Sequence, residues 1–154
     1  MTNRKYVIEE YEKLEKQYGL MPIVDIEKKL DIFIDTPPVI RNILSIFNNR
    51  INSQIGHIQI LLDPHSPIDI IESGFYSEDE IEEIKENLKK FLVIVHKINV
   101  LFNSDLDEQV EFLKGFLKEY EEELKPFFIE FNKRHEEEWK KCEFKKEKKE
   151  EYFG

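Results

Sequence analysis

The sequence predicts an all-α fold, a helical bundle built from long heptad-patterned helices. Three observations predict it. Apolar residues recur at spacings of three and four through most of the chain, which is the period of one helix face. Capping signals, Ser77 with Glu80 and Asp105 with Glu108, stand ahead of two of these runs. No segment shows sustained strand alternation or hairpin turn chemistry, and glycine is sparse, with 5 in 154 residues.

Each element follows from its own pattern. Val7, Tyr11, Leu14 and Tyr18 place one buried stripe on a helix over 3–18, and Gly19 stops it. The piece from Asp25 to about Phe33 is apolar but short and bounded by prolines, so a brief helix or an irregular connector is expected. In "DTPP", Asp35 or Thr36 serves as N-cap and Pro37 and Pro38 fall in a first turn, where a missing N–H costs little. A long helix should follow with Ile40, Leu44, Phe47, Ile51, Ile55, Ile58 and Leu62 on one face, until "DPHSP" ends it. "SPIDIIESGFY" then connects, with room for one helical turn. Beyond the Ser77 capping box, Ile81, Ile84, Leu88, Phe91, Val95, Ile98 and Phe102 alternate by three and four, as in a coiled-coil seam or the inner face of a bundle. A last stripe runs through Leu106, Val110, Leu113, Leu117, Tyr120, Leu124, Phe127 and Phe131 toward Trp139 and Cys142. Pro126 should kink or divide it. The prediction is one domain over 1–154, with an extended or kinked C-terminal helix from about 105 to 150 that projects from the bundle and frays into a mixed-charge tail.

Composition narrows the function. Charged residues make up 36% and hydrophobic ones 40%, too apolar for a disordered chain and too polar for a membrane protein. A formal charge of -10 repels phosphates, so binding to nucleic acid or to an anionic membrane would need a local basic patch, and no convincing one stands out. The single Cys142 excludes an intramolecular disulfide framework and suits a reducing compartment. The polar start is no signal peptide, and no run reaches the length of a membrane span, so a cytoplasmic location is expected.

Catalytic constellations are weak. If the second and third long helices pair antiparallel, His57 and His96 lie about 18 Å apart at ~1.5 Å per residue, too far for one site. His135 and Glu138 sit at i, i+3, a pair that can share a metal, but no matching Glu-x-x-His occurs on another helix. Cys142 has no oriented base nearby in sequence, and Ser45 lacks the glycines of a nucleophile elbow. Phosphate loops and dinucleotide fingerprints are absent, so neither cofactor nor metal is expected. The acidic runs "EEYEKLEK", "EYEEEL" and "HEEEW" read as solvated helix faces.

One stretch resembles a known family. Ser45, Ile46, Phe47, Asn48, Asn49, Arg50 and Ile51, then Gly56, Leu61 and Leu62, followed by the heptad run to Phe102, resemble the dimerisation and phosphotransfer hairpin of sensor histidine kinases. The family box reads His-Glu-Leu-x-Asn-Pro-Leu, so its phosphoacceptor falls on Ser45, its acidic neighbour on Ile46 and its proline on Arg50. No ATP-binding pattern follows in the chain. The resemblance implies a dimeric four-helix stem without phosphotransfer, with a surface around Asn49 and Arg50 that docks a receiver-type partner.

Taken together, these patterns predict a non-enzymatic helical interaction or assembly module, an adaptor or scaffold subunit that binds a protein partner or itself as a homodimer. The contact residues expected on a projecting aromatic stripe are Phe127, Phe128, Phe131 and Trp139, with Asn49 and Arg50 as a second patch.

Overall fold

The computed structural model describes residues 3–143. Its order is α1 Asn3–Tyr18, α2 Ile23–Leu30, α3 Val39–Leu62, α4 Pro67–Ser73, α5 Glu78–Leu101, α6 Leu106–Glu119, a π turn Tyr120–Leu124 and α7 Lys125–Lys141, with no strand among the described residues. The predicted all-α class holds.

Helix α3 is the axis. Its stripe of Ile40, Leu44, Phe47, Ile51, Ile55 and Ile58 is buried, and Val39, Ile43 and Leu61 widen it, so that neighbours can pack on more than one side. Helix α5 lies antiparallel along it, and Arg41 at the start of α3 reaches the Phe102 carbonyl at the end of α5 (3.1 Å). Helices α1 and α2 cover a second side. Tyr11, wholly buried, donates its hydroxyl to the Met21 carbonyl (2.5 Å), and burial, aided by the negative charge of Glu15, pushes its ionisation well above the ordinary value.

The buried carboxylate of Glu27 ties this corner together. It takes two bonds from Arg4 (2.8 and 2.6 Å) and one from the Ile34 N–H (3.0 Å). Gly19 follows α1 with φ 66°, a left-handed backbone that an L side chain rarely adopts, and its N–H closes the helix on Glu15.

The remaining run, α6 through α7, is nearly continuous and packs inward. Phe116 and Tyr120 meet Phe47 of α3 edge-on, with ring centres at 4.8 and 4.9 Å. Phe127 and Phe128 meet Phe91 of α5 at 5.2 and 5.1 Å. Apolar residues at Phe116, Tyr120, Leu124 and Phe128 step by four three times, which drifts about 40° per step around an α-helix. The wider π turn absorbs that drift and holds Leu124 and Phe128 on the buried face, just ahead of Pro126.

Four local expectations are corrected. Helix α2 begins at Ile23 and ends at Leu30, because Asp31 adopts φ 51° and its N–H turns back to the Glu27 carbonyl. Neither Asp35 nor Thr36 caps α3: both prolines precede the helix, Pro38 is its N-cap residue, and the N-terminal N–H of Val39 faces Glu10 of α1 (3.5 Å). The final helix stops at Lys141, where Cys142 turns extended, rather than near residue 150; the expected tail lies outside the described residues from 144 onward. It also does not project as an open stripe, since its aromatics are turned onto α3, α5 and the α4–α5 junction.

Candidate functional site

The densest meeting of polar and aromatic groups lies where the α4–α5 junction meets α7. Local sequence sets it up. Ser66 and Asp69 cap α4 reciprocally, and Ser77 and Glu80 cap α5 in the same way, which fixes Glu72, Phe75 and Tyr76 between two short-range anchors. From α7, Phe131, Arg134, His135 and Trp139 recur at helical spacing and face that junction.

The contacts use these groups on one another. Tyr76 stacks on Phe131 (5.9 Å between ring centres) and places its hydroxyl 3.0 Å from His135 Nδ1. That nitrogen also lies 2.9 Å from the Phe131 carbonyl, which can only accept, so Nδ1 donates there. His135 Nε2 faces Glu72 at 3.8 Å, and Trp139 Nε1 donates to the same carboxylate at 2.9 Å. Arg134 donates to the Phe75 carbonyl (2.9 Å), pairs with Glu80 (3.2 Å) and approaches Glu138 (3.4 Å). Burial pushes the Tyr76 phenol well above its ordinary value, so it stays neutral as a hydrogen-bonding group. The Ser77 backbone N–H, supported by Arg134, holds the Glu80 carboxyl below its own ordinary value. The cluster is a clasp between α7 and the junction.

Beside the clasp a groove of about 640 Å³ opens between the first half of α5 and α7. Its apolar lining comes from Tyr76, Ile84, Phe127, Ile129 and Phe131, and charged residues of both helices form its rim. Ile129 is 46% exposed, so the α7 side of the groove presents an apolar side chain to solvent.

The sequence-predicted residues divide between these settings. Phe128 and Phe131 are buried in the chain's own core and Phe127 is half-buried against Phe91, so the expectation of an exposed aromatic stripe is corrected: its partner is the same chain. Trp139 is half-buried, edge-on to Phe75 (5.4 Å). Asn49 is exposed, as expected. Arg50 instead reaches back to α2, donating to the carbonyls of Leu30 and of Asp31, where it meets the negative end of that helix. The α7 aromatics and the Asn49–Arg50 patch are not brought together: the first face α5 and the junction, the second the end of α2.

His135 and Glu138 turn to different partners, Glu72 and Arg134, and among the described residues no group of three or more His, Cys, Asp or Glu converges as metal ligands would. No helix among them is long and apolar enough to cross a membrane. Ile129 of the groove escaped the sequence reading, which placed Ile84 only in the buried seam of α5. The signal was the run Phe127, Phe128, Ile129, Phe131, which is apolar on more of the helix circumference than one buried stripe requires. Family models, curated proteins and solved structures alike yield no match to this chain.

Proposed function

We propose that this chain is a helical protein–protein interaction module of the cytoplasm that takes an amphipathic helix of a partner protein into the groove between α5 and α7. The groove itself carries the reading: an apolar floor open to solvent and long enough to follow two helix turns, with a charged rim. The rim also selects the occupant. Glu80 and Arg134 neutralise each other, leaving Glu83, Glu130 and Glu137 against Lys133, three carboxylates to one ammonium. A helix with an apolar stripe and basic flanks is complementary to that surplus. In this reading the chain acts by binding, as an adaptor or assembly subunit, and the clasp of Arg134, His135 and Trp139 keeps the wall formed by α7 in place.

A fluorescent amphipathic peptide of leucine and lysine, about 18 residues or five helical turns long, tests it. Ile129→Arg places a cation on the exposed wall, and Val24→Arg puts the same charge on α2, where Val24 is 65% exposed. The peptide is expected to bind the natural chain and Val24→Arg alike and to lose about tenfold in affinity, ~1.4 kcal/mol, for Ile129→Arg. Equal affinity for all three removes the groove as the binding site.

A further inference from the structure

The clasp between α7 and the α4–α5 junction contains a histidine whose two ring nitrogens both face acceptors. His135 Nδ1 lies 2.9 Å from the Phe131 carbonyl one turn earlier, and its Nε2 faces Oε2 of Glu72 at 3.8 Å. A carbonyl and a carboxylate can only accept. A neutral imidazole carries a single N–H, so one of these contacts is left as lone pair against lone pair, whichever nitrogen keeps the proton. With the proton on Nε2, the conflict falls at 2.9 Å on the Phe131 carbonyl; the Tyr76 hydroxyl, 3.0 Å from Nδ1, can donate to that nitrogen but leaves the carbonyl facing it. With the proton on Nδ1, the bare Nε2 faces the charge of Glu72. Only the imidazolium, which donates from both nitrogens, satisfies both.

The neighbouring charges leave this role to His135. Arg134 of α7 is taken up by Glu80 of α5 (3.2 Å) and by Glu138 of α7 (3.4 Å), and Lys141 also approaches Glu138 (3.9 Å). Tyr76, kept neutral by burial, brings no charge. Glu72 of α4 accepts from Trp139 Nε1 (2.9 Å), a neutral donor, and among the described residues no lysine or arginine pairs with it. Its cation is His135. The side chains of this pair are 17% and 27% exposed, so water screens the contact only in part.

We propose that the clasp is a proton-dependent latch, closed while His135 is the imidazolium and loosened when the ring gives up that charge. The direction follows from the contacts. On the acid side both N–H groups are present and Glu72 is still ionised, so one side chain ties α7 to α4. As pH rises and the ring loses its second proton, the Nε2 contact turns from attraction to repulsion. Trp139, one turn farther along α7 and bound to the same carboxylate, then loses a fixed partner. Tyr76 and Phe131 belong both to the latch and to the groove lining, so the state of His135 reaches the groove wall. The latch goes beyond the partner-helix reading and its test uses no peptide, so the two can fail separately.

Trp139 is the chain's only tryptophan and sits in the clasp, so its quenching by acrylamide reads the latch on the full chain. Between about pH 5.5 and about pH 8, the interval in which imidazoles change charge, the quenching constant should rise about twofold as the last turns of α7 open locally. His135→Gln should give the higher value at both ends with unchanged helical circular dichroism. His96→Gln, on the exposed face of α5, should respond as the natural chain does. In the natural chain, nitrogen NMR of the histidine rings should show His135 losing its charge over the same interval in which quenching rises, a reading that requires no variant to fold. A constant that is flat overturns the proposal, as does one that falls with rising pH, the result if the cost of burying a charged ring governed the clasp. So does a His135→Gln chain that keeps the response, or a ring that loses its charge at a pH apart from the change in quenching.

Discussion

Glu27 offers the sharpest test of how the N-terminal corner is held. Replacing it with alanine removes a carboxylate that accepts from both terminal nitrogens of Arg4 and from the buried Ile34 N–H. Stranding that N–H costs about 1–3 kcal/mol, and each charge-assisted bond about 1.5–3 kcal/mol before discount. The discount is large for Arg4, whose side chain is 23% exposed and can turn its freed nitrogens to water, while one of them keeps the Ile34 carbonyl (2.5 Å). The expected loss is therefore about 2–4 kcal/mol, below the upper end for breaking a fully buried pair. Urea unfolding followed by far-ultraviolet circular dichroism should show the midpoint falling by about 1–2 M at an m-value typical of small domains. Glu27→Gln keeps an oxygen for the Ile34 N–H and should lose about half as much. A midpoint for Glu27→Ala within error of the natural chain would refute the reasoning, because the corner would then be held by apolar packing alone.

Three further outcomes follow from the same structure. Phe47→Ala empties the position where α3 meets both Phe116 and Tyr120, and should cost about 3–5 kcal/mol in the same unfolding assay. Arg50→Ala removes the donor to the last carbonyls of α2 and should cost about 1–2 kcal/mol, read as faster amide hydrogen exchange confined to α2 and its exit. The Glu80 carboxyl is held below its ordinary value of 4.5, so its contribution is fully present above that pH and is lost as pH falls through the lower folded-state value; Glu80→Gln should flatten this acid limb of the stability profile while leaving its neutral-pH shape unchanged.

The fold was legible where information is local. The stripe through Ile40, Phe47 and Ile58, the box at Ser77 and Glu80, and Asp105 accepting from the Glu108 N–H (2.9 Å) are all set by residues within one or two turns of each other. Arg50 was misread because its partners lie 19 and 20 residues away on α2, and nothing in the surrounding helix marks a side chain that will cap another element. Leu106 was placed in a buried stripe by period alone, yet it is 42% exposed, since the first residue of α6 precedes the face that α3 covers. Periodicity reports that a face is covered and is silent on what covers it. That is why Phe128 and Phe131 read as an open interface although α5 and Tyr76 already close over them.

The same distinction decides how binding can be tested. Cutting the chain before Pro126 looks like a clean way to remove a docking helix, but it would strip Phe91 of Phe127 and Phe128, and Tyr76 of Phe131. Each exposed aromatic face forfeits about 1.5–3 kcal/mol of burial, a large share of the margin that keeps a domain of this size folded. Loss of partner binding on truncation would then report a broken core as readily as a missing interface. Ile129 is exposed in the folded chain, so changing it alters what the surface presents while the buried rings stay where they are. Whatever binding that substitution abolishes belongs to the surface and not to the stability of the helix beneath it.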